Sequence, residues 1–233
     1  YNVNEIGAVI WEPIQGEGGI RATDSSCWYR FLNEFICPNG IILIADEVQT
    51  GFGRTGTMFA CKHYDIEPDI ICLAKGIANG EHLGITVIRK EICWPEGGLY
   101  SNTWGGDPRS AKAALTAIDI IESEGLDVVA VLRGTTFHDS FSAEIYKALR
   151  KTRLNTTVWR ASDEKFIKFT SLQISHRIIV NFGGVGLMRR IKFEDILGNP
   201  LPELRNAVKA EARKRHILLM PCGDSAIRVM PPL

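Results

Sequence analysis

The chain lacks any long apolar run. None of its apolar stretches reaches the ~20 residues that a membrane-spanning helix needs. Its first residues, Tyr-Asn-Val-Asn-Glu, also lack the basic segment followed by an apolar stretch that marks a secretion signal. We therefore expect no membrane association and a cytoplasmic location.

An excess of charge of either sign is also missing. The 233 residues carry 27 basic and 27 acidic side chains, which gives a formal net charge of zero at pH 7. A chain of this kind offers no long-range attraction to nucleic acid or to an anionic membrane surface. Its 45% of hydrophobic residues is ordinary for a globular protein. We expect a small-molecule function without a nucleic-acid partner.

Metal-ligand spacing is absent among the cysteines and histidines. The six cysteines include no Cys-x-x-Cys pair, and the five histidines have no cysteine partner at ligand spacing. Free cysteine packs as a small apolar side chain. We predict reduced, mostly buried thiols and neither a zinc site nor another metal site.

The first half of the chain alternates β-rich apolar runs with helical patterns. Strands are predicted at residues 6–11, 41–45, 69–74 and 83–88, and a helix is predicted at 26–35. This alternation is typical of an α/β protein with a mostly parallel sheet.

A helix is predicted at residues 109–122, where Asp107 is able to cap it and Pro108 suits its first turn. Gly125 is suited to end this helix, and a second amphipathic helix is predicted at 128–149. We therefore predict a domain boundary near residue 125.

The second half predicts a smaller α+β layer. Residues 152–175 show no clear period and predict no element. The predicted elements are a helix at 202–215 and strands at 178–182, 187–193, 217–220 and 227–230.

Two of the predicted strands lead into an ionisable residue at their carboxyl ends. The run 41–45 precedes Asp46, and the run 70–74 precedes Lys75. Each residue alone has a plainer explanation, since strand-end aspartates cap turns and strand-end lysines extend into solvent. Open α/β sheets, however, bind ligands just beyond these ends. A buried amine that attacks carbonyls and a carboxylate that keeps a pyridine nitrogen protonated together predict pyridoxal 5′-phosphate (PLP) chemistry.

Four longer stretches carry a family resemblance. They are WEPIQGEGG at 11–19, ADEVQTGFGRTG at 45–56, PDIICLAKG at 68–76 and SNTWGGDP at 101–108. In this order and spacing the chain resembles the class III (subgroup II) aminotransferases of PLP fold type I, and it is similar to 4-aminobutyrate and ornithine aminotransferases. The resemblance implies a partial PLP-binding large domain at residues 1–125 and an incomplete small domain at 126–233.

The resemblance also implies roles for single residues. Lys75 is expected to be the catalytic Schiff-base lysine, and Asp46 the catalytic partner of the pyridine nitrogen. Val48 is expected to pack on the face of the ring, and Gln49 to lie near its phenolic oxygen. Thr103 resembles the threonine that binds the phosphate of the neighbouring subunit's cofactor, which implies a homodimer.

Substrate binding is implied by two further residues. Glu12 resembles the glutamate that pairs with a substrate-binding arginine, and Arg228, within AIRVMPPL at 226–233, is the candidate arginine. A guanidinium binds a carboxylate through two parallel hydrogen bonds, a geometry that lysine cannot reproduce. By opening and closing this pair, one site would accept both an ω-amino donor such as 4-aminobutyrate and a 2-oxo acid such as 2-oxoglutarate.

Several alternatives stay open. A PLP-dependent amino-acid racemase of the same family would share these motifs. The family's chains are longer, and this sequence starts within the large domain, so we expect an N-terminally truncated fragment, and a catalytically silent relic is a second alternative. His82 also stands where the family has proline. The glycines at 51–56 match the dinucleotide fingerprint G-x-G-x-x-G, but no strand ends directly before the first of them.

Overall fold

The computed structural model describes the backbone of residues 2–94, 96, 102–151, 156–164, 167–174 and 178–233, and the side chains of these residues except at 146, 148–151, 156–164 and 167–174. The strands are β1 (Ala8–Trp11), β2 (Ile14–Gln15), β3 (Arg21–Ala22), β4 (Ile42–Asp46), β5 (Ile70–Leu73), β6 (Ile85–Ile88), β7 (Thr156–Glu164), β8 (Ile167–Ile174), β9 (Ile178–Val185), β10 (Met188–Asp195), β11 (Met220–Cys222) and β12 (Ala226–Val229). The helices are α1 (Ser25–Phe31), α2 (Pro108–Ser123), α3 (Leu126–Lys151) and α4 (Pro202–Lys214).

The chain divides into two compact units. Unit 1 consists of Tyr1–Pro13 and Thr23–Asp127, and unit 2 consists of Ile14–Ala22 and Val128–Leu233. The short segment that carries β2 and β3 thus joins the second unit. The division of a larger protein into a large domain that ends at residue 125 and a small domain stays a prediction.

Unit 1 is built on a four-stranded sheet in the order β1-β4-β5-β6. The pairs β1–β4 and β4–β5 are parallel, so the carboxyl ends of these three strands meet at one edge. The strand predicted at 83–88 is present as β6, but it runs antiparallel to β5. The α/β character that the sequence predicts is therefore confirmed.

Helix α2 shows how closely local signals set an element in this unit. Asp107 accepts hydrogen bonds from the backbone N–H of Ser110 at 2.9 Å and from its hydroxyl at 2.8 Å. These hydrogen bonds lower the pKa of the Asp107 carboxyl group, and Pro108 occupies the first turn. Gly125, with φ of 60°, follows the helix end in the left-handed conformation that glycine tolerates. The predicted helix 109–122 is confirmed.

Aromatic side chains fix the chain around Pro13 in unit 1. The rings of Trp11 and Trp28 are stacked with centroids 4.6 Å apart, and Tyr64 meets Trp11 edge-on at 5.2 Å. The indole N–H of Trp11 donates to the hydroxyl of Thr23 at 2.8 Å, and the hydroxyl of Tyr64 donates to the carbonyl of Pro13 at 2.9 Å. The segment that follows β1 is therefore held by both packing and hydrogen bonds.

Unit 2 is built on a six-stranded antiparallel sheet in the order β11-β12-β10-β9-β8-β7. Helices α3 and α4 contribute Phe141 and Leu204 to a core around Phe182, Ile191 and Ile227. The strand predicted at 217–220 is displaced to β11, where the sheet edge accommodates its proline.

Two strands lie where the sequence predicted no element. Strands β7 and β8 form an antiparallel pair within the 152–175 stretch, of which 152–155, 165–166 and 175 lie outside the described residues. In the β7 sequence TTVWRASDE the first residues have high β propensity, but charged residues interrupt the alternation that signals a strand. The pattern was therefore too weak to predict them.

Gly134 of α3 allows a close approach of this helix to the β9–β10 hairpin. A Cβ atom there would lie 1.8 Å from the carbonyl oxygen of Gly186 and 2.8 Å from the guanidinium of Arg189. We expect Gly134→Ala to lower the free energy of unfolding by about 3 kcal/mol, because the backbone contact outweighs the ~1 kcal/mol by which alanine favours a helix. Urea denaturation measures this change. Thr136→Ala, at an exposed position of the same helix, is the control, and an equal loss in both variants would contradict the prediction.

The cysteines are less buried than predicted. All six are free, but Cys27, Cys37 and Cys93 are exposed, since they lie in surface helices and turns rather than in strands.

Across the part of the chain that the structure describes, no helix is both long enough and apolar enough to cross a membrane. The cytoplasmic location stays a prediction.

Candidate active site

Asp46 and Lys75 follow neighbouring parallel strands of unit 1. Asp46 is the last residue of β4 and pairs in register with Cys72 of β5, while Lys75 begins a 3₁₀ turn just beyond the end of β5. Asp46 is half-buried, and its Oδ1 accepts the backbone N–H of Val48 at 3.0 Å. The backbone positions of Asp46 and Lys75 therefore lie at the same edge of the sheet.

Lys75 has an unusual backbone for its residue type. Its φ is 50°, in the left-handed region that side-chain-bearing residues seldom adopt, and such a conformation costs about 1–3 kcal/mol. Ile77 and Ala78 are each 1% exposed, and the burial of their side chains anchors the turn. The Lys75 side chain itself is exposed, so the expectation of a buried amine was wrong for this chain. The strand ends at Leu73, and the turn carries the lysine beyond the layer in which strand side chains are covered.

Glu47, next to Asp46, is fully buried and was missed by the sequence reasoning. One carboxyl oxygen accepts the N–H of Ala60 at 3.0 Å and the hydroxyl of Thr50, and the other accepts the N–H of Cys61 at 2.7 Å. Burial raises the pKa of the Cys61 thiol to about 12, with the charge of Glu47 as the second cause. Glu47 thus connects the segment after β4 to the turn at Ala60–Tyr64. The sequence signal for this residue was a second acidic residue directly after Asp46.

The glycine-rich stretch at 51–56 consists of turns. Phe52 and Gly53 have φ of 59° and 76°, and the N–H of Phe52 donates to the carbonyl of Met58 at 2.7 Å. Nε2 of His63 lies 3.1 Å from the carbonyl oxygen of Thr55, and desolvation lowers the pKa of this histidine. A 3₁₀ turn rather than an α-helix follows, so the stretch lacks the strand-loop-helix context of a dinucleotide site.

The other predicted cofactor residues lie in unit 1 as well. Val48 and Gln49 are half-buried in the turn after Asp46, and Thr103 is exposed in a turn shortly before α2. Cys72, the register partner of Asp46, has a thiol pKa raised by burial and secondarily by the charge of Asp46. The roles assigned to these residues stay predictions.

Arg228 forms an ion pair with Glu17 in unit 2. Arg228 lies on β12 with its side chain 19% exposed, and one guanidinium nitrogen contacts the carboxylate of Glu17, whose side chain is 69% exposed. The sequence assigned Glu12 as the partner, but Glu12 lies in unit 1, and its pairing stays a prediction. Sequence reasoning missed Glu17, although the WEPIQGEGG stretch offers both glutamates as signals.

The residues at the β4–β5 edge fit pyridoxal 5′-phosphate. This cofactor requires an amine that attacks its carbonyl and a carboxylate beside its ring nitrogen. Asp46 offers a carboxylate at the end of β4 and Lys75 offers an amine just beyond the end of the adjacent β5, while their roles toward the cofactor stay predictions. Val48, whose backbone N–H binds Asp46, adds a half-buried apolar side chain in the turn after β4.

Comparison with known proteins identifies the family. Residues 2–233 match the family described as "Aminotransferase class-III", and the chain belongs to this family. The chain is 37% identical to the 2-aminoadipate transaminase of Pseudomonas putida over 235 residues, which is 99% of this chain and 50% of that protein. It is 35% identical to the 4-aminobutyrate aminotransferase of Mycobacterium leprae, covering 99% of this chain and 46% of that protein.

Solved structures share the fold over the same partial length. An amine transaminase from an uncultivated Pseudomonas species, solved in its PLP-bound form, superposes with a TM-score of 0.76 at 29% identity and covers 99% of this chain and 48% of that chain. An aminotransferase of Bacillus anthracis gives a TM-score of 0.76 at 26% identity, covering 99% and 49%. The chain thus spans about half the length of the relatives it matches. The predicted family is confirmed, and the partial coverage is consistent with the predicted fragment.

Proposed function

We propose that this chain is part of a PLP-dependent aminotransferase that transfers an amino group from an amino acid or ω-amino acid to a 2-oxo acid. The observation that carries the proposal is the shared edge of β4 and β5, where Asp46 and Lys75 follow adjacent parallel strands. Membership of the class-III aminotransferases supports the same reaction type.

Each group at this edge has a proposed part in the reaction. Pyridoxal phosphate, when bound, supplies a carbonyl that accepts amines and a ring that takes up electron density. Lys75 would hold it through Nζ, and Asp46 would keep its ring nitrogen protonated. Once an amino donor displaces it, Nζ of Lys75 would take the proton from the amine-bearing carbon of the donor and deliver it to the former carbonyl carbon of the cofactor, after which water would release the oxo acid. Val48 would cover a ring face, and Gln49 would lie near the phenolic oxygen.

Arg228 is the proposed ligand of a substrate carboxylate. The names of two relatives, 2-aminoadipate transaminase and 4-aminobutyrate aminotransferase, specify donors that carry a carboxylate away from the reacting amine. The ion pair with Glu17 supports a site in which a substrate carboxylate replaces a protein carboxylate. Glu17 is the better supported of the two candidate partners, and Glu12 remains the partner that the family resemblance suggests.

A homodimer is part of the proposal. Thr103 is the residue proposed to reach the phosphate of the cofactor in a second subunit. Its exposed position near the start of α2 suits a contact outside its own chain.

Substituting Arg228 tests the substrate assignment. We expect Arg228→Lys to raise KM for 2-oxoglutarate at least ~10-fold, because lysine keeps the charge but loses the paired hydrogen bonds to a carboxylate. Glutamate formation from 4-aminobutyrate or 2-aminoadipate and 2-oxoglutarate is measured with added PLP. Arg213→Lys, on the exposed last turn of α4, is the matched control. An unchanged KM would refute the role of Arg228.

The same assay separates the alternatives. Inversion of the chirality of an amino acid without formation of an oxo acid would indicate a racemase. The silent relic has one observation in its favour, the exposed Lys75 in a chain that spans about half of its relatives. It predicts neither product formation nor attachment of the cofactor.

A further inference from the structure

Two arginines are direct neighbours in the unit 2 sheet. Arg190 of β10 is the register partner of Arg228 of β12, and paired positions on antiparallel strands direct their side chains to the same face. Like charges at such positions destabilise the pair unless other groups offset them. Arg228 is offset by Glu17. The groups that contact Arg190 therefore show how its position beside Arg228 is stabilised.

Arg190 binds the loop that carries Glu17. One terminal nitrogen of its half-buried guanidinium donates to the carbonyl of Gly19 at 3.1 Å and to the carbonyl of Ile20 at 3.3 Å. Arg228 holds the acidic residue at the start of the same loop. The two neighbouring arginines thus hold two ends of a four-residue segment, 17–20.

This segment has a backbone that needs external support. Gly19 has φ of 107° and Ile20 has φ of 52°, a left-handed conformation that a β-branched residue seldom adopts. Strained backbone of this kind persists only where surrounding contacts hold it. The N–H of Gly223 donates to the carbonyl of Glu17 at 2.7 Å and supports one end. Arg190 supplies the side-chain hydrogen bonds at the strained end.

We propose that Arg190 is a positioning residue that fixes the 17–20 loop and thereby sets how strongly Glu17 competes with a ligand carboxylate for Arg228. The inference rests on the proposed function, in which Arg228 binds the substrate carboxylate. A tethered carboxylate competes through its effective concentration at the arginine, and that concentration depends on how tightly the tether is held. Release of the loop by loss of Arg190 therefore makes Arg228 more available to free carboxylates.

The test uses glutarate, a dicarboxylate without an amine or oxo group, and calorimetry on the whole chain. We expect Glu17→Gln to tighten glutarate binding about 10-fold and Arg190→Met to tighten it about 3-fold. In the double variant Arg190→Met adds nothing to Glu17→Gln, because the two residues act through one competitor. Arg190→Lys, which keeps the charge but not the fork of donors, gives an intermediate tightening.

Weaker binding in Arg190→Met, or effects that multiply in the double variant, would overturn the proposal, since Arg190 would then bind glutarate itself or act independently. Arg213→Met is the matched control, because Arg213 is an exposed cation in the last turn of α4 of the same unit, and its removal is expected to give no tightening.

A second measurement keeps the test valid if the unsubstituted chain fails to bind glutarate. That result would contradict the carboxylate site of the proposed function, but the positioning of segment 17–20 by Arg190 could still be tested. We expect Arg190→Met to speed amide hydrogen exchange at 17–20 by ~10-fold, with residues 226–229 unchanged. Equal exchange at 17–20 in both proteins would overturn the positioning role.

Discussion

Replacing Lys75 by alanine is expected to abolish the covalent retention of pyridoxal phosphate by this chain. Among the groups at the β4–β5 edge, the lysine is the nucleophile that can join a carbonyl covalently, and borohydride makes such a linkage permanent. The chain is incubated with PLP, reduced, and analysed by mass spectrometry of its peptides. The unsubstituted chain is expected to carry the label at Lys75, and Lys75→Ala is expected to carry none above background.

Lys62 supplies the matched control for this experiment. It is an exposed lysine in the 3₁₀ turn Ala60–Tyr64 of the same unit, so its reaction measures nonspecific modification. Lys62→Ala should retain the full label. Equal labelling of the Lys75→Ala protein and the unsubstituted chain would remove Lys75 from the mechanism. An unsubstituted chain without label would favour the silent relic.

The exposure of Lys75 makes a further comparison informative. A surface amine alone binds an aldehyde through a linkage that water reverses. At a cofactor site, a carboxylate that also binds the ring nitrogen adds a second contact and raises the affinity for PLP. We therefore expect Asp46→Asn to weaken PLP binding without removing the site of attachment. This pattern would separate a cofactor site from a merely accessible lysine.

Features set by neighbouring residues could be predicted from the sequence. Asp107 and Pro108 delimit the start of α2 because capping and the fixed φ of proline act within one turn. The apolar runs that end at Asp46 and just before Lys75 are strands β4 and β5 because β-rich runs with turn residues on either side are a local signal. These local signals were enough to set the β4–β5 edge.

Features set by distant contacts could not be predicted. The antiparallel direction of β6 depends on the path of the segment that connects it to β5, and composition does not encode this path. Arg228 could pair with either of two glutamates, and only the fold of the 17–20 loop brings Glu17 to it. The burial of Glu47 depends on the amides of Ala60 and Cys61, far along the chain. A sequence pattern names the charged residues of such a site, but their partners follow from tertiary packing.

Removing the Glu47 side chain is expected to have the largest effect on stability. Glu47 is 0% exposed and satisfies the N–H groups of Ala60 and Cys61 together with the hydroxyl of Thr50. Each buried donor left without an acceptor costs about 1–3 kcal/mol, and the hydroxyl alone is able to rotate toward another acceptor. We therefore expect Glu47→Ala to lower the free energy of unfolding by about 4 kcal/mol, measured by urea denaturation.

Glu47→Gln distinguishes the loss of hydrogen bonds from the loss of volume. Glutamine fills the same space, but its amide donates where the carboxyl oxygen accepted, so one backbone N–H faces another donor. We expect a loss of about 2 kcal/mol, between those of the parent and Glu47→Ala. Glu67→Gln, at an exposed position of the same unit, should stay within ~0.5 kcal/mol of the parent. Since Glu47 directly follows Asp46, both Glu47 variants should also weaken PLP binding. Parental stability in Glu47→Gln would contradict the prediction, because it would mean that side-chain volume alone stabilises this segment.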